Sequence, residues 1–154
     1  MLRRFWRDER GLSPIIESVV MMVLLVGFFG GFSAYMLGAH ARSVVIAAAD
    51  TAGRTASIEC GLGEANWRPE AVSAGEQALV DGGLSPATAA SGQPGYWNVT
   101  LNVAGGGCPG GTQVTATVLY DQIDLFPILG PLLGQGAAGA LVFPIQSSVV
   151  FPVE

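Results

Sequence analysis

Apolar residues run almost without a break from Ile15 to Leu37, with Glu17 and Ser18 the early interruptions, and between residues 19 and 39 the only ionisable group is the phenol of Tyr35. At about 1.5 Å per residue a helix over this run is roughly 34 Å long, enough to cross a hydrocarbon core of about 30 Å. Ser13 followed by Pro14 predicts where that helix starts, with serine as N-cap and proline in the first turn, where its missing N–H is not needed. The pattern does not stop with the apolar run. Ala41, Val44, Val45, Ala48, Ala49, Ala52 and Ala56 keep helical spacing, and Asp50 and Arg54 stand at i,i+4. One long helix is therefore expected from about residue 14 to residue 57, with Gly53 its weak point.

Beyond residue 60 the pattern changes. Residues 61–95 are rich in Gly, Pro, Ser and Ala with weak periodicity and read as a loop region holding a short helix near residues 76–80. Strict alternation then begins. Over residues 96–103, Trp97, Val99, Leu101 and Val103 face one way, and Tyr96, Asn98, Thr100 and Asn102 the other, as in a half-buried strand. Residues 112–120 repeat this with Val114, Ala116, Val118 and Tyr120, and the glycine-rich residues 104–111 between them predict an antiparallel hairpin. A third strand is expected over residues 146–153, with Pro144 and Pro152 placing it at an edge. Residues 125–141 are apolar but too broken by Gly and Pro to span a membrane, and read as a hydrophobic loop or a flap over the sheet. The fold class is α+β: a long N-terminal transmembrane helix continuing into a small antiparallel β-sheet domain. Its divisions are a basic leader (residues 1–11), a transmembrane helix (12–40), a helical continuation (41–59) and a β-rich domain (60–154).

Composition sharpens this picture. The 154 residues carry 12% charged and 50% hydrophobic side chains, with a mean hydropathy of +0.47, too greasy for an ordinary soluble domain. The formal charge is -5, lysine is absent and the arginines are scattered, which argues against a nucleic-acid partner needing a dense cationic patch. The sign is also uneven. Arg3, Arg4, Arg7 and Arg10 crowd the first ten residues, whereas Asp and Glu dominate everything after residue 43. Basic flanks stay on the cytoplasmic side, so the expected orientation is N-terminus inside and C-terminal domain outside, with Phe5, Trp6 and Tyr35 as possible interfacial anchors.

On the outer side cysteines can oxidise. Cys60 at the end of the long helix and Cys108 in the glycine hairpin are candidates for a bond stapling helix to sheet, the alternative being two unrelated thiols. Two Cys and the single His40 do not supply a metal ligand set, and no cofactor is expected. No lysine, nucleophile elbow or histidine pair is present, so no catalytic residues are assigned and the chain is read as a non-enzyme. Gly27 and Gly31, continued by Ala34 and Gly38, form a small face suited to close helix–helix approach, or are glycines merely tolerated in lipid. Glu17 stands out. A carboxylate inside an apolar helix costs up to about 3 kcal/mol at mid-bilayer and asks for a cationic partner, from Arg10 or from an α-amino group made by cutting the chain just upstream.

The run Arg10-Gly11-Leu12-Ser13-Pro14-Ile15-Ile16-Glu17 resembles the processing site of type IV pilin-like proteins. Within that family the chain is most similar to the TadE-like minor pilins of tight-adherence (Tad) pilus systems. The resemblance extends to the small-residue helix over residues 41–56, the Cys-bearing hairpin, the strand over residues 114–120, Leu125-Phe126-Pro127-Ile128-Leu129, and the closing strand ending in Val153-Glu154. It implies cleavage by a prepilin peptidase between Gly11 and Leu12, and pairing of Glu17 with a neighbouring subunit's amine during assembly. It also implies other pilin subunits, Tad membrane platform proteins and membrane lipid as partners. With that cut Glu17 is the sixth mature residue rather than the family's usual fifth, a rotation of about 100° around the helix. Archaeal pilins share a similar opening. The competing reading is an exported soluble binding domain, with residues 1–41 a cleaved signal, Arg3-Arg4 its twin-arginine start and Ala39-His40-Ala41 its cleavage site.

Overall fold

The computed structural model describes residues 9–84, 95–104, 108, 112–122 and 143–153, with side chains from residue 16 onward other than those of Gln122 and Phe143. Helix α1 (Glu9–Leu62) is followed by helix α2 (Trp67–Asp81) and strands β1 (Trp97–Val103), β2 (Gln113–Gln122) and β3 (Phe143–Pro152). The chain divides into two units, Met1–Met36 and Leu37–Glu154. In the first, the described structure is the apolar part of α1. The second is an α+β unit in which the rest of α1 and α2 accompany a three-stranded antiparallel sheet of order β1-β2-β3.

Both ends of α1 differ from expectation. The helix begins at Glu9, so Ser13 and Pro14 lie inside it and Ser13 does not cap it. Adding a turn to an already nucleated helix is cheap, and the missing N–H of Pro14 removes a single bond to the carbonyl of Arg10. At the other end α1 runs five residues past Ser57. Gly63, at φ +76°, takes the left-handed conformation, while its N–H bonds to the Cys60 carbonyl and that of Glu64 to the Glu59 carbonyl. This is a Schellman stop, for which glycine is the preferred residue.

The stretch expected to be mostly loop holds the fifteen-residue helix α2. Its buried residues are Ala71, Gly75 and Leu79, one per turn and two of them small, too narrow a stripe for a strong helical signal. A second Schellman stop ends it: Gly83 at φ +83° donates to Val80, and Leu84 donates to Leu79.

The alternation in the strands sorts faces as expected. Trp97, Val99 and Val103 of β1 and Val114, Ala116, Val118 and Tyr120 of β2 are buried, with Val99 opposite Val118 and Val103 opposite Val114. β3 is an edge strand bonded to β2, with Val114 opposite Phe151 and Gln122 opposite Phe143. Two core clusters lie between helices and sheet. One gathers Ala41, Val44, Val45, Ala48, Ala49 and Ala52 with Leu79, Leu84, Trp97, Val99, Ala116, Val118 and Tyr120. The other gathers Ala56, Cys60, Ala71, Val103, Val114 and Val153. The helical contribution is nearly all alanine and valine, so helix and sheet approach closely. Gly53 is part of that approach rather than a weak point: a Cβ there would overlap the Phe151 ring. The expected flap over residues 125–141, and most of the glycine hairpin, lie outside the described residues.

Candidate functional site

The feature with the clearest contact potential is the apolar part of α1. From Ile16 the helix is long and apolar enough to cross a membrane, with a mean hydropathy of 2.1 over its best 18-residue window, none of it buried by the chain itself. Its large apolar side chains from Ile16 to Leu37 are between 50% and 73% exposed. In water such a surface costs roughly 25 cal/mol per Å², so it calls for lipid or for other helices. From Ala41 the spacing i, i+3, i+4, i+7 goes on as a buried face of small residues, covered by the sheet and α2. The same α-helical period thus serves two different solvents.

At about 100° per residue, Gly27, Gly31 and Ala34 fall within an arc of about 60°, and Gly38 stands one turn further along. A Cβ on Gly27 would meet nothing within 4 Å. The contrast is with Gly53 and with Gly75, where a Cβ would lie 3.0 Å from that of Ala52 and 3.3 Å from Val99 Cγ1. The glycines of the second unit are thus explained by packing inside the chain, whereas Gly27 is not. Glu17 is exposed on the apolar helix. Gly11 and Leu12 fall within the α1 backbone, and their side chains lie outside the described ones.

The far end of the second unit is fastened covalently. Cys60, the third-last residue of α1, is disulfide-bonded to Cys108 between β1 and β2, with a Cα–Cα distance of 5.3 Å. Ser57, one turn earlier, donates to the Pro152 carbonyl of β3 at 2.5 Å. Next to Cys60 in sequence, Glu59 has one carboxylate oxygen enclosed and without a hydrogen-bond partner. Burial pushes its carboxyl above the usual glutamate range, and the charge of Glu70, a hydrogen bond with Glu70 and the charge of Glu64 push the same way. Because the folded-state value is raised, the stability associated with the protonated form is complete below the ordinary glutamate range and is lost as pH rises through the raised value. Glu59→Gln is therefore expected to raise the melting temperature at about pH 7 and to have little effect near about pH 3. Thermal melts followed by circular dichroism check this, and equal effects at both pH values would contradict the cause given.

His40, the sole histidine, donates from Nε2–H to the Gly82 carbonyl at 3.1 Å, which ties α1 to the end of α2. Arg54 pairs with Asp50 at 2.9 Å, both side chains largely in solvent, a contact of at most about 1 kcal/mol. Among the described residues no group of three or more His, Cys, Asp or Glu side chains is placed to hold a metal ion. A shallow recess lined by Arg54, Ser57, Ile58, Phe151 and Pro152 brings a lone serine hydroxyl, already bonded to Pro152, beside apolar surface. The arrangement offers an exposed apolar helical surface and a disulfide-stapled domain. No family model, curated protein or solved structure matches the chain.

Proposed function

We propose that this chain is a membrane-anchored assembly protein without catalytic activity, a minor pilin of the TadE-like kind that takes part in building a Tad-type pilus. Its N-terminal helix sits in the membrane before assembly and packs against sister helices afterwards. The observation that carries the reading is the contrast along α1: large apolar side chains at least half exposed from Ile16 to Leu37, then a small-residue face covered by the chain's own sheet. A helix that leaves one half bare while packing the other has a use for the bare half. The unexplained Gly27 and the exposed Glu17 add to it, the first as a place for close helix approach and the second as the partner of an amine exposed by cleavage after Gly11.

The mature N-terminus tests the proposal. Sequencing of the membrane-extracted protein is expected to begin at Leu12. A start at Arg42 would make the chain an exported soluble domain, and an intact Met1 would leave a membrane anchor without pilin processing.

A further inference from the structure

We propose that Asn98 is a modification site, carrying an oligosaccharide bonded through its side-chain amide nitrogen to the first sugar. Asn98-Val99-Thr100 has the N-x-T spacing of an N-glycosylation acceptor, with valine rather than proline between. What carries the inference is how β1 displays this triplet. Strand alternation sends Val99 into the core, where it is 6% exposed, and leaves Asn98 and Thr100 exposed together on the outer face of the sheet. Both helices pack on the other face, where Gly75 of α2 comes against Val99 and Gly53 of α1 against Ala116 and Phe151. A bulky group on Asn98 therefore displaces nothing in either core cluster.

The position of β1 in the chain supplies the opportunity. In the finished sheet Asn98 stands opposite Leu119 and Thr100 opposite Thr117. The Ala104 amide donates to the Gln113 carbonyl and the Asp121 amide to the Tyr96 carbonyl, so the two-residue period turns the backbone groups of 98, 100 and 102 toward β2. Thr100 Oγ1 also donates to the Thr117 carbonyl at 3.2 Å. Folded, the triplet is held straight and its hydroxyl is engaged. No described strand other than β2 pairs with β1, and β2 comes later in the chain. From the emergence of Asn98 until residues 113–122 follow, the triplet is single and unpaired, and the transfer belongs to that interval. The donor is a lipid-phosphate-linked oligosaccharide. Asn98 Nδ2 bonds to C1 of the first sugar, the bond from C1 to the phosphate oxygen breaks, and the amide proton goes to the departing lipid phosphate.

The outer face gives the sugar a use. Edges of natural sheets are commonly kept from pairing with other chains by charge or by proline. β3 has Pro144 and Pro152, whereas β1, from Trp97 to Val103, has neither a charge nor a proline. The rows Asn98–Leu119–Gln146 and Thr100–Thr117–Ser148 hold no ionisable group either, in a chain with 12 Asp and Glu. A hydrated oligosaccharide rooted on Asn98 guards this edge and stands beside Leu119, which is only partly buried.

The inference rests on the second unit being delivered to the outer side of the membrane, as the basic N-terminus implies. The full chain, extracted from the cells that make it, is measured by mass spectrometry with fragmentation to place any added mass, alongside Asn98→Gln, Thr100→Val and Thr100→Ser. An added mass of whole sugar residues is expected on Asn98, lost completely in Asn98→Gln and Thr100→Val and kept in Thr100→Ser, which retains the hydroxyl. Valine shares threonine's branched shape and its preference for strands, so a loss there reports the hydroxyl rather than the fold. Unmodified Asn98, or an added mass that survives Thr100→Val, overturns the inference. Protease added to intact spheroplasts reads the orientation separately. Digestion of the second unit with Asn98 bare overturns the inference alone, and protection of the second unit overturns the orientation and the inference with it.

Discussion

Replacing Cys60 and Cys108 together by alanine is expected to lower the stability of the second unit by about 2–4 kcal/mol. The bond closes a loop of 48 residues in sequence separation, which in a chain-entropy account corresponds to roughly 4 kcal/mol at room temperature. The effect is large here because the unit is small and its helix contributes chiefly alanine and valine, with little apolar area per residue. Cys60 is fully buried in the cluster with Ala56, Ala71, Val103 and Val114 and Cys108 packs against it partly buried, so a pair of alanines also loses one fully and one partly buried sulfur. Urea titration of the chain in detergent, followed by the circular dichroism of the sheet, measures the change. A midpoint unaltered by the double substitution, or by reduction, would mean the staple contributes nothing.

The second large effect is expected at Leu79, the largest fully buried side chain among the described residues. Leu79→Ala should cost about 2–5 kcal/mol, the usual range for emptying a leucine-sized volume in a core that relaxes only in part. The neighbours argue for the upper half of that range. Gly75, one turn back, already brings the two helices and β1 into contact, and the Schellman stop after α2 fixes Leu84 and Leu79 against each other, so little is free to move into the gap. Val80→Ala, at a position 40% exposed, is the control and should change stability by well under 1 kcal/mol. Equal effects at the two positions would show that α2 is not docked as described.

That pair of positions also shows how much of the fold was legible in the sequence. The strands declared themselves through alternation, because a sheet covered on one face imposes a period of two, and Trp97, Val99, Val114, Ala116 and Val118 obey it. The long helix declared itself twice, through its apolar run and then through its alanine spacing. α2 did not. Its buried stripe is one residue wide, and Ala71 and Gly75 are inward-facing without being strongly apolar, so the pattern looked like loop. Gly53 was misread for a related reason: helix propensity counts the glycine as a defect, whereas the Phe151 ring occupying the space of its Cβ exists only in the folded contact. Ser13 looked like a cap because local signals carry no information about a helix already nucleated downstream.

The candidate site was legible in part, for similar reasons. Hydropathy alone marks the span, and Cys60 and Cys108 stand where the helix ends and the hairpin turns. The close approach of α1 to β3 was not readable, because it depends on the pairing register of β2 with β3 and on the contact between Gly53 and Phe151. The carboxyl group of Glu59 was equally hidden, since its raised value comes first from burial in the folded unit and then from Glu70 on another helix.

The account depends above all on the bare half of α1 residing in lipid. Alkaline carbonate extraction of membranes from cells making the full chain, with the N-terminus of each fraction sequenced, tests this most directly. The protein is expected in the pellet with residues 16–37 attached, and a version in which Val23→Arg and Val26→Arg are combined is expected to shift towards the supernatant, each arginine costing about 3 kcal/mol in the bilayer. Recovery of the unaltered chain in the supernatant, with residues 16–37 still attached, would contradict it.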